Sequence, residues 1–179
     1  MVAYFKVDQE DLIAIYKEFA DKFPNYKKNK IICGLFISIL YLVLATSLVG
    51  VQFWRYIILF TLIMYFVGSK YVYKRALVKF VKKTVAKNKY LDEECKLTIS
   101  EDKFIREYSD LITKTEWSSI TMAKEDARRY FLLIFGTPQL FVIKKYPVNF
   151  TDEEINEYNT RIHQYIKNTG LNLEKVSVE

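Results

Sequence analysis

Few residues in this sequence have the types and spacing that enzymatic chemistry needs. His163 is the only histidine in the 179 residues, so a histidine-dependent triad would have to use it. We expect His163 in the middle of a helix with its ring facing solvent. Ser118 and Ser119 lack the strand–turn–helix context of a catalytic serine, and the sequence has no glycine-rich phosphate loop. The sequence therefore predicts a protein that is not an enzyme.

Candidate metal ligands are equally sparse. The acidic groups at 92–94 and 152–154 lack the alternate-residue spacing of a calcium loop. The second group belongs at a helix N-terminus, where the helix dipole already favours negative charge. One histidine with the separated cysteines Cys33 and Cys95 cannot supply a zinc set. We predict no metal and no cofactor, with Cys33 a small lipid-facing or packing residue and the two thiols unpaired.

The elements that would position such residues carry charge very unevenly. Between Ile31 and Ser69 the only charged residue is Arg55, whereas Lys70–Tyr90 holds eight basic residues and no acidic one. From Leu91 to Glu179 there are twelve basic and sixteen acidic residues. The formal net charge of +6 therefore does not describe a basic folded domain, which nucleic-acid binding would need. We predict no nucleic-acid partner.

The apolar middle of the chain predicts a transmembrane helical hairpin at 31–73. Ile31–Trp54 is 24 residues without a charge, and about 20 apolar residues span a bilayer. We place helix 1 at Ile31–Val51, a turn at Gln52–Arg55 and helix 2 at Tyr56–Tyr73. A soluble buried hairpin is the alternative, but it leaves the charge asymmetry unexplained. The candidate interface anchors at the turn are Trp54, Arg55 and Tyr56.

Basic residues cluster at one end of this hairpin, at least seven of them against Arg55 alone at the other. Lys27, Lys28 and Lys30 precede helix 1, and further cations follow helix 2. The positive-inside rule then predicts two spans with both termini cytoplasmic. Neither helix contains a GxxxG pair, so no glycophorin-like dimer face is indicated.

A basic juxtamembrane helix is predicted at 74–90, directly after the hairpin. The stretch Lys70–Lys89 alternates lysines with apolar residues at helical spacing. Those apolar residues are Val72, Ala76, Leu77, Phe80, Val81 and Val85. The candidate lipid-headgroup contacts are Lys70, Lys74, Arg75, Lys79, Lys82 and Lys83. Two interpretations remain open: a specific site for anionic lipid, or charge that only sets topology on a solvated helix.

The N-terminal segment, 1–30, predicts a short strand at Val2–Val7 and an amphipathic helix. Asp8 caps this helix with Asp11 three residues on. The apolar residues at helical spacing are Leu12, Ile13, Tyr16, Phe19, Ala20 and Phe23. So short a segment cannot bury much surface alone, so we expect the strand to join the sheet of the C-terminal domain.

The C-terminal domain, 91–179, changes to the alternating pattern of strands. Strands are predicted at 96–99, 104–108, 111–117, 119–124, 130–135 and 140–145, the last two joined by a turn at 136–139. Thr151 and Glu154 cap a final helix, whose apolar stripe is Ile155, Tyr158, Ile162, Tyr165 and Ile166. Trp117 is predicted to be a core aromatic. The predicted fold class is α+β, with a small antiparallel barrel-like or bent sheet closed at one end by the helix.

The order of these elements resembles the bacterial YcxB-like family. The segments that carry the resemblance are Thr115–Ile120 (TEWSSI), Phe131–Phe135 (FLLIF) and Leu140–Ile162 (LFVIKKYPVNFTDEEINEYNTRI), after two membrane helices and a basic helix. The resemblance implies a C-terminal domain similar to bacterial pleckstrin-homology-like (PH-like) folds. The sequence departs from the family pattern at Lys144–Pro147, where a proline would precede the basic pair. The family implies no activity, and no functional residue is carried over.

Three functions remain open at this point, none enzymatic. The first is a bacterial inner-membrane protein, anchored by the helical hairpin, that presents its cytoplasmic PH-like domain to a protein partner or to further copies of itself. The second is an immunity or protective protein against a membrane-active toxin or bacteriocin, by analogy of architecture alone. The third is a module that senses anionic lipid through Lys70–Lys89. Membrane lipids are the partner common to all three.

Overall fold

The fold is α+β, and the computed structural model describes residues 1–23, 25–49, 51–134 and 139–176. The chain divides into two compact units. The first, here called the α+β unit, comprises Met1–Phe19 and Thr84–Glu179. The second, here called the helical unit, comprises Ala20–Lys83.

The helical unit contains two long helical stretches. Helix α2 spans Tyr26–Val49. Helix α3 spans Trp54–Val67 and continues through a wider π-helical turn, Gly68–Val72, into α4 at Tyr73–Val85. By length and composition, Tyr26–Leu48 and Trp54–Val85 are both apolar enough to cross a membrane.

Several helix boundaries differ from the predicted ones; α2 ends at Val49 and not at Val51, and α4 ends at Val85, before the predicted end at residue 90. Helix α2 begins at Tyr26, five residues before the apolar run, because lysines are good helix formers and hydropathy does not mark a helix start. The residue before it, Asn25, has a positive φ of 65°. The connection between the helices ends at Phe53, so the next helix begins at Trp54 and not at Tyr56. The second apolar helix and the basic helix form one continuous stretch.

The first sheet of the α+β unit is fully antiparallel. It contains β1 (Val2–Lys6), β2 (Glu94–Ile99), β3 (Lys103–Glu107) and β4 (Ile112–Glu116) in that spatial order. The β1 strand pairs with β2, with Val2 opposite Thr98, so the prediction that the N-terminal strand joins this sheet is confirmed. The outer edge of β1 is covered where the Val148 N–H donates to the Tyr4 carbonyl at 2.9 Å.

The second sheet has the order β7-β6-β5-β8. Its strands are β5 (Ile120–Glu125), β6 (Arg129–Ile134), β7 (Gln139–Lys144) and β8 (Leu173–Lys175). The β6 and β7 strands form the predicted antiparallel pair, while 135–138, most of the predicted turn, lie outside the described residues. The β8 strand was not predicted, because three residues are too few for an alternating pattern; it runs parallel to β5.

Two helices complete the core of the α+β unit. Helix α5, Asp152–Asn168, has the predicted Thr151–Glu154 capping box and buries Tyr158, Ile162 and Ile166. Helix α1, Gln9–Glu18, has the predicted cap at Asp8. Its buried face differs from the predicted one: Asp11, Ala14 and Ile15 are buried together with Phe19, whereas Leu12 and Tyr16 are only partly buried. The prediction missed Asp11 because its ionic partners lie far along the sequence.

Trp117 is a core residue, as predicted. Trp117 is 2% exposed, and its indole N–H donates to the Ser100 carbonyl at 3.0 Å. The Trp117 ring packs against Phe104 and Tyr165, with centroid distances of 4.9 and 5.6 Å. Trp117 therefore links the first sheet to α5.

Candidate functional site

A cluster of exposed cations follows the second apolar helix. Lys70 lies in the π-helical turn and the others lie on α4, so one helical stretch positions all of them. All six side chains belong to exposed residues. The cluster, here called the basic surface, comprises Lys70, Lys74, Arg75, Lys79, Lys82 and Lys83.

The start of α2 lies at the same end of the helical unit as the basic surface. The rings of Tyr26 and Tyr73 meet edge to face with a centroid distance of 5.3 Å. Lys27 and Lys28 follow Tyr26 and are also exposed. The two helices thus bring the lysines that precede the first apolar run close to those that follow the second.

The positive charge at this end is not neutralised within the helical unit. The unit contains eleven basic residues and a single acidic one, Asp21, which lies 3.5 Å from Lys22. Among the described residues, no member of the basic surface forms an ion pair. This arrangement attracts anions, because the repulsion between neighbouring cations falls when an anion binds.

The outward faces of the apolar helices are exposed. Phe36, Ile39 and Phe66 are 65%, 60% and 67% exposed. A helix that is apolar all round is buried in a large core or inserted in a membrane. In the helical unit these side chains have no protein core around them.

The two helices run antiparallel and approach each other closely at two glycines. A Cβ atom at Gly34 would lie 2.8 Å from the Tyr65 ring, and one at Gly68 would lie 2.9 Å from Ile37 Cβ. In the same seam the Ser38 hydroxyl donates to the Gly34 carbonyl at 2.9 Å. Small residues allow such close approach where lipid is the solvent. This contact was not predicted, although Gly34 and Gly68 come together as soon as an antiparallel register is assumed.

The three predicted interface anchors lie together, away from the basic surface. Trp54 begins α3, and Arg55 and Tyr56 follow it in the first turn. The guanidinium carbon of Arg55 lies 5.5 Å from the centroid of the Trp54 ring. All three are exposed. Since Lys70 lies beyond the other end of α3, the anchors and the basic surface mark opposite ends of the same helix.

In the α+β unit, His163 is only half exposed. Its side chain is 49% exposed, and Nε2 lies 3.2 Å from Glu125 Oε2, so the prediction of a ring facing solvent was incomplete. Lys145 Nζ lies 2.6 Å from the same oxygen. Burial acts to raise the pKa of Glu125, but Lys145 and His163 together hold this pKa below its ordinary value of 4.5. This group joins α5 to the second sheet as a structural ionic contact.

A second ionic cluster holds the N-terminal helix. The Asp11 carboxylate accepts from Arg129 Nη1 at 3.2 Å and lies 2.9 Å from Lys144 Nζ. Arg129 also contacts Asp126 at 2.7 Å, and Lys144 also contacts Asp8 at 3.1 Å. These contacts join α1 to β6 and β7. They give Lys144 a structural role.

The described residues contain no group of three or more His, Cys, Asp or Glu side chains that could hold a metal ion. Cys33 and Cys95 are free thiols, and Cys95 is buried. Cys33 has a packing position, with Sγ 3.5 Å from the Gly68 carbonyl oxygen.

No protein-family model matches the chain, and no curated protein matches it. The resemblance to the YcxB-like family therefore stays a prediction.

Proposed function

We propose that this chain is a non-enzymatic membrane protein in which the helical unit anchors the α+β unit at a bilayer surface. The observation that carries this proposal is the exposed apolar surface of the helical unit, which has unneutralised cations at one end. A continuous apolar surface along two helices is unfavourable in water, and a bilayer would cover it. The backbone of α2 and α3 satisfies its own hydrogen bonds, as lipid requires.

The distribution of charge supports one orientation. In this proposal the basic surface and Lys27, Lys28 and Lys30 lie at the cytoplasmic face of a bacterial inner membrane, since cytoplasmic flanks are enriched in Lys and Arg. The anchors Trp54, Arg55 and Tyr56 lie at the opposite interface. Both ends of the hairpin then return to the cytoplasm, and the α+β unit is cytoplasmic.

The basic surface also supports binding of anionic lipid headgroups. Each cation near an anionic bilayer contributes about 1 kcal/mol. Lys79, Lys82 and Lys83 lie farthest along α4 from the apolar helix, so they are the cations least needed for insertion. We propose that they enrich anionic lipid around the protein, while the α+β unit interacts with a protein partner or with further copies of the chain.

The lipid part of the proposal is tested by measuring which lipids stay with the protein. The full chain is reconstituted into vesicles of equal parts phosphatidylglycerol and phosphatidylcholine, extracted in a maltoside detergent, and its retained lipids are measured by mass spectrometry. We expect phosphatidylglycerol to be enriched. A triple variant, Lys79→Gln, Lys82→Gln and Lys83→Gln, should lose up to about 3 kcal/mol of this preference, roughly a hundredfold at low salt.

A matched control removes the same charge elsewhere. Lys103, Lys114 and Lys167 are exposed lysines of the α+β unit, and their replacement by Gln should leave the enrichment unchanged. Equal enrichment in both triple variants and the wild type would contradict the role of the basic surface. Equal loss in both variants would contradict it too, since net charge alone would then explain the effect.

A further inference from the structure

Arg106 points toward the inside of the α+β unit. It follows Phe104 by two residues on β3, and alternate residues of a strand share a face. Phe104 is fully buried. The guanidinium carbon of Arg106 lies 4.0 Å from the centroid of the Phe141 ring, on β7 of the second sheet. The register places Leu97 on β2 and Thr113 on β4 directly beside it.

No acidic group neutralises Arg106. Its Nε atom is closed off from solvent and has no hydrogen-bonding partner, and no ion pair joins Arg106 to another residue in the described part of the chain. Desolvation lowers the pKa of Arg106, and the groups that act against it, Tyr108 and Cys95, are not carboxylates. The Phe141 ring offsets part of this cost by a cation–π contact, but it offers no acceptor for the guanidinium N–H groups.

Other arginines of the same unit are satisfied. Arg129 contacts Asp11 and Asp126, and Arg161 contacts Glu157 at 2.6 Å. Arg106 as a whole is half-buried, and Nε is the atom of its guanidinium that is enclosed without a hydrogen-bonding partner, a state that is unfavourable and rare in native structures. An arginine that is held against an aromatic ring without a carboxylate therefore has N–H donors available for an acceptor from outside the chain.

We infer that Arg106 anchors an oxyanion-binding site on the inner face of the first sheet, which takes the carboxylate or phosphate group of a small ligand. Nε is enclosed, so the ligand approaches the two terminal Nη nitrogens, whose fork matches two oxygens of a carboxylate or phosphate. Thr113 lies directly opposite Arg106 on the neighbouring strand, so its side chain shares the face of the sheet that Arg106 occupies and can offer a hydroxyl donor there.

Tyr108 supplies a neutral polar group on the same face. It continues the alternation of Phe104 and Arg106, and its hydroxyl is hydrogen-bonded to the Cys95 thiol. Burial raises the pKa of Tyr108 to about 12, so the hydroxyl stays protonated near neutral pH and does not repel an anion. Its ring packs on Tyr90 with a centroid distance of 5.1 Å. The groups that act on the Arg106 charge, Tyr108 and Cys95, are neutral, whereas the Glu93 carboxylate acts on Tyr108 and not on Arg106.

The site is tested on the full chain in a maltoside detergent, which carries no oxyanion of its own. The chain is labelled with ¹⁵N-arginine, and the Nε–Hε signals are followed while inorganic phosphate, acetate or chloride is added at constant ionic strength. We expect a saturable shift of the Arg106 signal with phosphate, acetate or both, and none with chloride. The effective anion identifies the ligand class. No saturable shift, or the same shift with chloride, would overturn the inference.

Variants assign the signal and check its origin. Arg106→Met keeps an unbranched side chain against Phe141 and should remove the shifting signal. Arg106→Lys loses the two-pronged contact and should weaken thermal stabilisation by the effective anion at least tenfold in apparent Kd. Arg128→Met removes an exposed arginine of the same unit and should change neither result. The wild-type titration decides the inference even if a variant fails to fold, and its failure leaves the membrane proposal untouched.

Discussion

The ionic cluster around Asp11 predicts a large effect from a single substitution. Asp11→Asn keeps the shape of the side chain and removes its charge. The Asp11 side chain is 5% exposed and contacts both Arg129 and Lys144. Removing one partner of a buried ion pair costs about 3–5 kcal/mol. Here each cation keeps a second carboxylate, Asp126 or Asp8, so we expect a loss of about 2–3 kcal/mol.

The assay uses the natural tryptophans. The chain has two, Trp54 in the helical unit and Trp117 in the α+β unit, so in a Trp54→Phe background the tryptophan fluorescence comes from Trp117 alone and reports on the α+β unit. A loss of 2–3 kcal/mol corresponds to a fall of about 10 °C in the thermal midpoint for a unit of this size. Glu157→Gln, which breaks an exposed ion pair with Arg161, should leave the midpoint unchanged. Similar midpoints for Asp11→Asn and Glu157→Gln would refute the reasoning.

Three further predictions concern other contacts. Because the folded-state pKa of Glu125 is lowered, the stability that this carboxylate contributes is complete above its ordinary pKa and is lost as pH falls below about 4.5. Thermal midpoints measured against pH should show this loss, and the loss should be smaller in Glu125→Gln. Gly68→Ala places a Cβ against Ile37 and should destabilise the helical unit by about 1–3 kcal/mol, measured by unfolding in mixed micelles, whereas an unchanged stability would contradict the close helix contact. Trp117→Phe leaves the Ser100 carbonyl without its donor and creates a cavity, for a loss of about 2–4 kcal/mol in chemical unfolding.

Much of the fold could be predicted from local patterns. The capping boxes at Asp8 and Thr151 mark helix starts because they depend on residues only three positions apart. The β6–β7 pair follows from two apolar runs separated by residues typical of a turn in the sequence. Strand β1 was predicted to pair with the distant sheet because an isolated strand and helix cannot bury enough surface.

What could not be predicted depends on long-range contacts. Asp11 is a polar residue on an amphipathic helix, and only the positions of Arg129 and Lys144 explain its burial. The β8 strand is too short for a pattern and exists because β5 offers a free edge. Arg106 looks like an ordinary residue of an alternating strand, and its missing partner becomes visible only when Phe141 is placed opposite it.

The candidate site was partly predictable, because some of its features depend on neighbours in the sequence and others on long-range contacts. The cations of the basic surface are adjacent in sequence, so composition alone identified them. Their lack of acidic partners is a property of the folded unit. The seam at Gly34 and Gly68 required the antiparallel register of the two helices.

The central claim is that the helical unit spans a membrane and that the α+β unit lies on its cytoplasmic side. Its most direct test is cysteine labelling in cells with a permeabilised outer membrane. In a background of Cys33→Ala and Cys95→Ala, a single cysteine is placed either at Gln52, between the apolar helices, or at Glu153, in the first turn of α5. We expect a membrane-impermeant maleimide to label Gln52→Cys in intact spheroplasts and to label Glu153→Cys only after lysis. Labelling of both positions before lysis, or of Glu153→Cys alone, would contradict it.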